Sequence, residues 1–325
     1  MGGKAGNLHH LSSNKIPVPS WFCVSSEMCR HYLAAVSDEI ATILGKVDFS
    51  NQPQVDKASE SIKQLIVNLE LSTADIATLN KATQELGAER LAVRSSALAE
   101  DSAKDSFAGQ LDTYLYVSPE DVINKVKECW ASGFGPRSLT YMANRGMDPT
   151  QSLVAVVVQS MVDSVVSGVM FMANPTGSLD ESVIVAGYGL GEGIVSDQVE
   201  SDMYVFDRSE DAWHTMLNAK LTRVVRDPKT GVGTIIEAVP ETNQQEPALT
   251  EEQRVGLFKL GNQISEIYDH YQDIEWALDP EGDLCITQSR PITTIPKGQM
   301  AIFDNSNVVE SYPGITKPLT FSHIL

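Results

Sequence analysis

Asp273-Ile274-Glu275-Trp276-Ala277-Leu278, Asp279-Pro280-Glu281-Gly282-Asp283 and Leu284-Cys285-Ile286-Thr287-Gln288-Ser289-Arg290-Pro291 form the stretch that decides the fold. Two strand-like runs joined through Pro280 and Gly282 make the pattern of a β-hairpin. Sequential antiparallel strands, in a chain rich in helical patterns elsewhere, argue for an α+β layering over a wholly parallel sheet. Residues two apart in a strand share a face, so Asp273 goes with Glu275 and Gln288 with Arg290. If an even number of residues closes the turn, Glu275 faces Gln288 and Asp273 faces Arg290. A slip by one residue sends the two pairs to opposite faces. In the first register a single patch carries two carboxylates, an amide oxygen and a guanidinium. Hard oxygen donors of this kind suit Mg²⁺, which takes one or two protein carboxylates and otherwise waters and phosphate oxygens. Arg290 would then balance phosphate charge. The competing reading is a solvated, salt-bridged hairpin face.

Met28, Tyr32, Val36, Ile40 and Leu44 fall every four positions and predict one helix over 25–44. A second helix is expected near Val55–Leu69, after an Asn51-Gln52-Pro53 loop. A third follows Ser72, with Asp75 as its capping partner, and stops at Gly87. Leu91-Ala92-Val93 begins a strand, and Leu111, Thr113, Leu115 and Val117 alternate as a second. Ser118-Pro119 opens another helix, with Val122, Val126 and Trp130 inward. The runs 153–159, 165–173 and 182–186 read as adjacent buried strands, with further strands at 202–206 and 221–225. Thr250-x-x-Gln253 starts a last helix. Pro and Gly cluster around 175–195, which places the expected internal boundary there, and a linker follows Pro291.

The chain has 325 residues, 42% hydrophobic and 21% charged, enough for about two domains or subdomains. Its 24 Lys and Arg stand against 43 Asp and Glu, a formal charge of −19. Such a surface repels nucleic acid and anionic lipid, and an anionic ligand must be met by a local cluster of cations. Cys23, Cys29, Cys129 and Cys285 are too scattered for a disulfide framework. No apolar run is long enough to span a bilayer. A cytoplasmic protein without nucleic-acid or membrane partners is expected.

There is no P-loop pattern, and Gly187-Tyr188-Gly189-Leu190-Gly191-Glu192 has Glu192 where a dinucleotide fingerprint needs glycine. Three other places could carry chemistry. Gly2-Gly3-Lys4-Ala5-Gly6 reads as a flexible loop offering N–H groups and an ammonium to phosphate, or as an ordinary turn with a solvated lysine. Arg94 at a strand end has the planar fork that suits phosphate, unless it pairs with Glu100 or Asp101. The glycines at 187–193 allow close backbone approach to a ligand, or simply make a tight strand-to-helix turn. Together Lys4, Arg94, Arg290 and the carboxylate cluster suggest a metal–polyphosphate site.

Several segments occur in a family's order: Gly2-Gly3-Lys4-Ala5-Gly6-Asn7-Leu8, Ile16-Pro17-Val18-Pro19, Arg94-Ser95-Ser96-Ala97 with Glu100-Asp101, and Ser106-Phe107-Ala108-Gly109-Gln110. Gln159-Ser160-Met161-Val162, Gly189-Leu190-Gly191-Glu192, Asp273-Ile274-Glu275-Trp276 and Gln288-Ser289-Arg290-Pro291 follow. The chain thereby resembles the N-terminal ATP-binding domain of phosphoenolpyruvate synthase, pyruvate phosphate dikinase and rifampin phosphotransferase. The resemblance implies an ATP-grasp fold, with subdomains at 1–190 and 191–295 and a linker into a following domain at 296–325. It implies that Lys4 and Arg94 contact phosphates, that Gly109, Gln110 and Thr113 cover them, and that Gln159, Met161 and Val162 meet adenine. Glu192 would reach the ribose, Glu275 and Gln288 would hold Mg²⁺ with Asp273 in support, and Arg290 would stabilise the transferring phosphoryl groups.

In such enzymes ATP is cut to AMP and phosphate, and the β-phosphoryl group passes to a histidine on a separate domain. Downstream phosphohistidine and substrate domains are therefore the expected partners. The final acceptor could be pyruvate, a rifamycin-type antibiotic or a biosynthetic carboxylate. The alternative is a non-catalytic nucleotide-binding regulatory module. Two motifs depart from the family: Ala5-Gly6 is inverted, and Val195-Ser196-Asp197-Gln198-Val199-Glu200-Ser201-Asp202 lacks a glycine and a proline. No glycine-rich phosphohistidine motif is present, and 307–322 resembles the start of the next domain, so a fragment of a longer protein is expected.

Overall fold

The computed structural model describes residues 2–97, 111–175 and 179–292. Among them the helices are α1 (Gly3–Ser13), α2 (Ser26–Leu33), α3 (Ser37–Leu44), α4 (Gln52–Val67), α5 (Thr73–Leu86), α6 (Val122–Ser132), α7 (Pro136–Asn144), α8 (Gly191–Val195) and α9 (Glu251–Tyr268). The strands are β1 (Trp21–Val24), β2 (Leu91–Ala97), β3 (Thr113–Val117), β4 (Val154–Ser160), β5 (Val166–Phe171), β6 (Glu181–Tyr188), β7 (Asp202–Asp207), β8 (Ala212–Met216), β9 (Thr222–Arg226), β10 (Thr234–Ala238), β11 (Gln272–Leu278) and β12 (Leu284–Pro291). The α+β class is the one expected.

A four-stranded sheet has the order β1-β4-β2-β3, and a six-stranded sheet the order β12-β11-β5-β6-β7-β8. Every ladder in both is antiparallel. The three apolar runs expected to be neighbours are therefore divided. β4, with only Ser160 less than buried, is an interior strand of the first sheet, while β5 and β6 pair in the second. Continuous apolarity marks burial on both faces, which an interior strand of either sheet satisfies. The chain leaves the first sheet after Ser160 and enters the second at Val166, upstream of the expected boundary at 190.

One face of the first sheet packs against α2 to α7, with Ile62, Ile66, Val126, Trp130 and Leu139 buried together with Val93 and Val156. The second sheet buries Met170, Ile184, Ile274, Trp276 and Ile286 against Leu257 and Ile264 of α9. Burying side chains of this size contributes about 1.5–3 kcal/mol each. Asp202 of β7 and Lys220 in the segment before β9, both fully buried, form an ion pair of 2.7 Å. Asp202 also accepts from Asn218 N, Ala248 N and the Tyr204 hydroxyl, so its lone pairs are met.

Local signals account for the ends of several helices. Ser72 Oγ accepts from Asp75 N, and Gly87 ends α5 at φ 65. Thr250 and Gln253 make a reciprocal capping box at α9. Asn51 and Pro53, expected in a loop, are the N-cap and first turn of α4. The helix expected over 25–44 breaks at a 3₁₀ turn, Ala34–Val36, where the β-branched Val36 takes φ −122.

The largest correction is at Gly2–Gly6, which belongs to a helix and its cap. Gly2 is the N-cap, and a Cβ there would stand 2.0 Å from Ser96 O, so only glycine admits the approach of β2. Ala5 and Leu8 then pack with Val157 on the other face of the first sheet, and Leu11 enters the core of the second. α1 is thus rooted in both halves.

Candidate functional site

The register of the hairpin decides what its side chains can do together. Asp273 pairs with Arg290 and Glu275 with Gln288, as the first reading of the sequence expected. The route to it differs. The loop between Leu278 and Leu284 is odd-numbered, Asp279 to Asp283, and the pairing nearest the turn sets Trp276 against Ile286. A bulge then absorbs Thr287 and shifts the ladder between Trp276 and Glu275 by one residue. The bulge brings Gln288 opposite Glu275. It also frees Thr287 O, which accepts from Arg94 Nη1 at 3.0 Å.

Arg94 comes from β2 in the first sheet. Besides Thr287 O, its Nη2 donates to Gln288 Oε1 at 2.8 Å and lies 3.3 Å from Glu275 Oε2. Its neighbours Leu91 and Val93 point into the core below, and alternation turns Ala92 and Arg94 to the cleft. Arg94 is thus paired with the distant hairpin. The possible partners Glu100 and Asp101 lie outside the described residues. Lys4, in the first turn of α1, donates to Ser95 O at 3.0 Å.

Between the two sheets is a cleft of about 320 Å³. Lys4, Arg94, Thr113, Gln159, Met161, Val162, Glu192, Glu275, Gln288 and Arg290 all line it. Asp273 stands just behind, accepting from Arg290 Nε at 2.7 Å. Gly109 and Gln110 fall outside the described residues. Residues distant in sequence thus meet in one place, and Ala92, Leu115, Met161 and Leu190 give the same wall an apolar part.

Leu111, Thr113 and Leu115 share the cleft face, as their alternation predicts. The pattern fails at Val117, because Tyr116 sits at φ 55 beside a bulge and sends Val117 into the core. The glycines at 187–193 serve packing as well as the cleft. At Gly189, φ is +81 and a Cβ would stand 2.3 Å from Val224 O, so glycine is required where the chain crosses β9. Glu192 follows in α8, and its Oε2 accepts from Thr234 Oγ1 at 3.2 Å.

Sequence reasoning missed Thr287 and Trp276 as part of the wall. A bulge leaves no trace in a period-two pattern, and Trp276 reads as core, which it also is, at 1% exposure. Burial pushes the Asp273 carboxyl above its ordinary range, against the pull of the Arg290 guanidinium, and the nearby Glu275 adds to the rise. Gln159 is 2% exposed, and its Nε2 is buried without a hydrogen-bond partner.

A family model described as pyruvate phosphate dikinase, AMP/ATP-binding domain, matches residues 1–307. The phosphoenolpyruvate synthase of Pyrococcus furiosus is 36% identical over 98% of this chain and 45% of its own length. A rifampicin phosphotransferase of a Streptomyces species is 38% identical over 91% of this chain and 34% of its own. This chain therefore spans less than half the length of these relatives. Among solved structures, the D-alanine-D-alanine ligase from Coxiella burnetii is similar at 9% identity and a TM-score of 0.36, over 88% of this chain and 46% of that one. The α+β arrangement expected from the sequence places a cleft between two antiparallel sheets.

Proposed function

This chain belongs to the pyruvate phosphate dikinase AMP/ATP-binding domain family, and from that premise we propose that it binds ATP with Mg²⁺ and cleaves it to AMP and phosphate, the β-phosphoryl group passing to a histidine on a separate domain. The observation that carries this reading is the meeting of Lys4, Arg94, Glu275, Gln288 and Arg290 in one cleft, from four elements spread across the chain. In a molecule of charge −19, three cations lining one cleft are placed for a polyphosphate.

The donor set fits a hard divalent ion. A carboxylate and a carboxamide oxygen face each other across β11 and β12, and a cationic nitrogen is already drawn to both. Glu275 and Gln288 would hold the ion, with Asp273 in support through Arg290. Bound there, Mg²⁺ supplies charge neutralisation to phosphate oxygens.

The chain's own groups do the rest. Arg290, 39% exposed at its side chain, keeps its Nε on Asp273 and lines the cleft. Hydrogen bonds from a guanidinium to phosphate are worth about 1.5–3 kcal/mol each. Lys4 adds an ammonium, Gln159 to Val162 and the apolar wall accept the base, and Glu192 the ribose. Phosphoryl transfer demands mainly positioning and charge stabilisation, which such a constellation provides.

Calorimetric titration with MgATP tests the binding half. Glu275→Ala and Arg290→Ala are each expected to weaken binding at least tenfold with an unchanged circular dichroism spectrum. In the longer polypeptide, β-labelled ATP should leave its label on a histidine and release AMP. Release of ADP alone, or no cleavage at all, would overturn the transfer reading, and no cleavage with intact binding would favour a regulatory module.

A further inference from the structure

Arg94 makes contacts that compete with the site's proposed use. Its Nη2 lies 2.8 Å from Gln288 Oε1 and 3.3 Å from Glu275 Oε2, the two oxygens assigned above to the metal ion. Its Nη1 is fixed on Thr287 O, the carbonyl released by the bulge. The guanidinium is only 13% exposed at the side-chain level, and Glu275 22%, so water screens their attraction weakly. Arg94 belongs to the first sheet and the hairpin to the second, so the contact spans the cleft.

We propose that Arg94 guards the metal seat: it holds Glu275 and Gln288 until nucleotide phosphates draw it away, so that metal enters with nucleotide and poorly without it. This inference rests on the assignment of Glu275 and Gln288 as metal ligands and adds an order of events to it. An ion held at about 2.1 Å from Gln288 Oε1 stands no more than about 5 Å from Nη2, on whichever side it enters. A dication and a guanidinium that close repel, and both draw on the same lone pairs. A phosphate group removes the conflict because it offers the guanidinium a bidentate partner of its own. The present contact also leaves Arg94 incompletely satisfied, since its Nε is buried without a hydrogen-bond partner.

The test uses the 325-residue chain and Mn²⁺ as the probe, with free ion counted by electron paramagnetic resonance. Without nucleotide, Arg94→Met is expected to bind Mn²⁺ at least tenfold more tightly than wild type. A non-hydrolysable ATP analogue should tighten Mn²⁺ binding in wild type by a larger factor than in the variant. Arg94→Lys, which keeps the charge but cannot fork between two oxygens and a carbonyl, should fall between them. Equal nucleotide-free affinities in wild type and Arg94→Met, with Mn²⁺ binding lost in Glu275→Ala, would overturn the guard while leaving the metal assignment intact. Undiminished binding in Glu275→Ala would instead remove that assignment and the guard with it. Wild type gives a readout that needs no altered fold: the Arg94 Nε–Hε resonance should move on adding the analogue alone and stay in place on adding Mg²⁺ alone. Movement with Mg²⁺ alone counts against the proposal.

Discussion

At Asp273, burial and the contact with Arg290 pull in opposite directions on acidity. Burial raises the Asp273 carboxyl and Arg290 lowers it, with burial prevailing. An acid whose folded pKa is raised binds its proton more readily folded than unfolded. It therefore costs stability above the folded pKa, and that cost is relieved as pH falls through it. Arg290→Met removes the downward pull, so Asp273 should titrate at a higher pH in the variant, as its carboxyl ¹³C shift would report. An identical midpoint in both proteins would show that the ion pair does not set it. Gln159 supports a second expectation. Its unpartnered Nε2 carries a desolvation cost of about 1–3 kcal/mol, so Gln159→Met, similar in length and without polar hydrogen, should melt no lower than wild type. The charged candidates at these positions were legible in the sequence because strand alternation fixes which residues share a face. Arg94 as a ligand of the hairpin was not, because 181 positions separate it from Glu275.

At the scale of elements, α1 was the least legible. Gly-Gly-Lys-Ala-Gly has poor helix propensity, each glycine costing about 1 kcal/mol relative to alanine, and the helix is sustained by packing that no local pattern records. Gly2→Ala puts a Cβ into Ser96 O, so it should lower stability by about 1–3 kcal/mol and also weaken nucleotide binding by moving Lys4; denaturation and calorimetry on the same preparation read both. The hairpin illustrates a different limit. Its pairing was correct in the sequence, yet loop parity alone predicts the other register, and the bulge at Thr287 reconciles the two. In the second sheet, the buried pair of Lys220 with Asp202 joins β7 to the segment before β9. Lys220→Met leaves a carboxylate buried without its counter-ion and should cost about 3–5 kcal/mol. A urea midpoint unchanged by that substitution would mean that Asp202 is held by its backbone donors alone.

For the whole molecule, the α+β class and the caps of α5 and α9 could be read from sequence, while the division of strands between sheets could not. An apolar run announces burial but not its neighbours, so β4 and β5 looked alike and belong to different sheets. Seven surface acids (Asp48, Asp75, Glu120, Asp148, Glu200, Asp207 and Asp227) have their pKa lowered chiefly by hydrogen bonds. Asp75, for instance, accepts from Tyr32 and Ser72. A depressed folded pKa gives stability that is present above the unfolded value and lost as pH falls through the folded one. The urea midpoint should therefore hold from pH 7 to about 5 and drop below about 4; a midpoint at pH 3.5 equal to that at pH 6 would contradict this. Finally, the eleven residues of α1 give Ala5 and Leu8 to one apolar interior and Leu11 to the other. Neither interior can dissolve without unseating the helix on which its neighbour depends. Heating should consequently produce one calorimetric peak, with the amides of α1 among the last to exchange, even though the apolar residues form separate clusters.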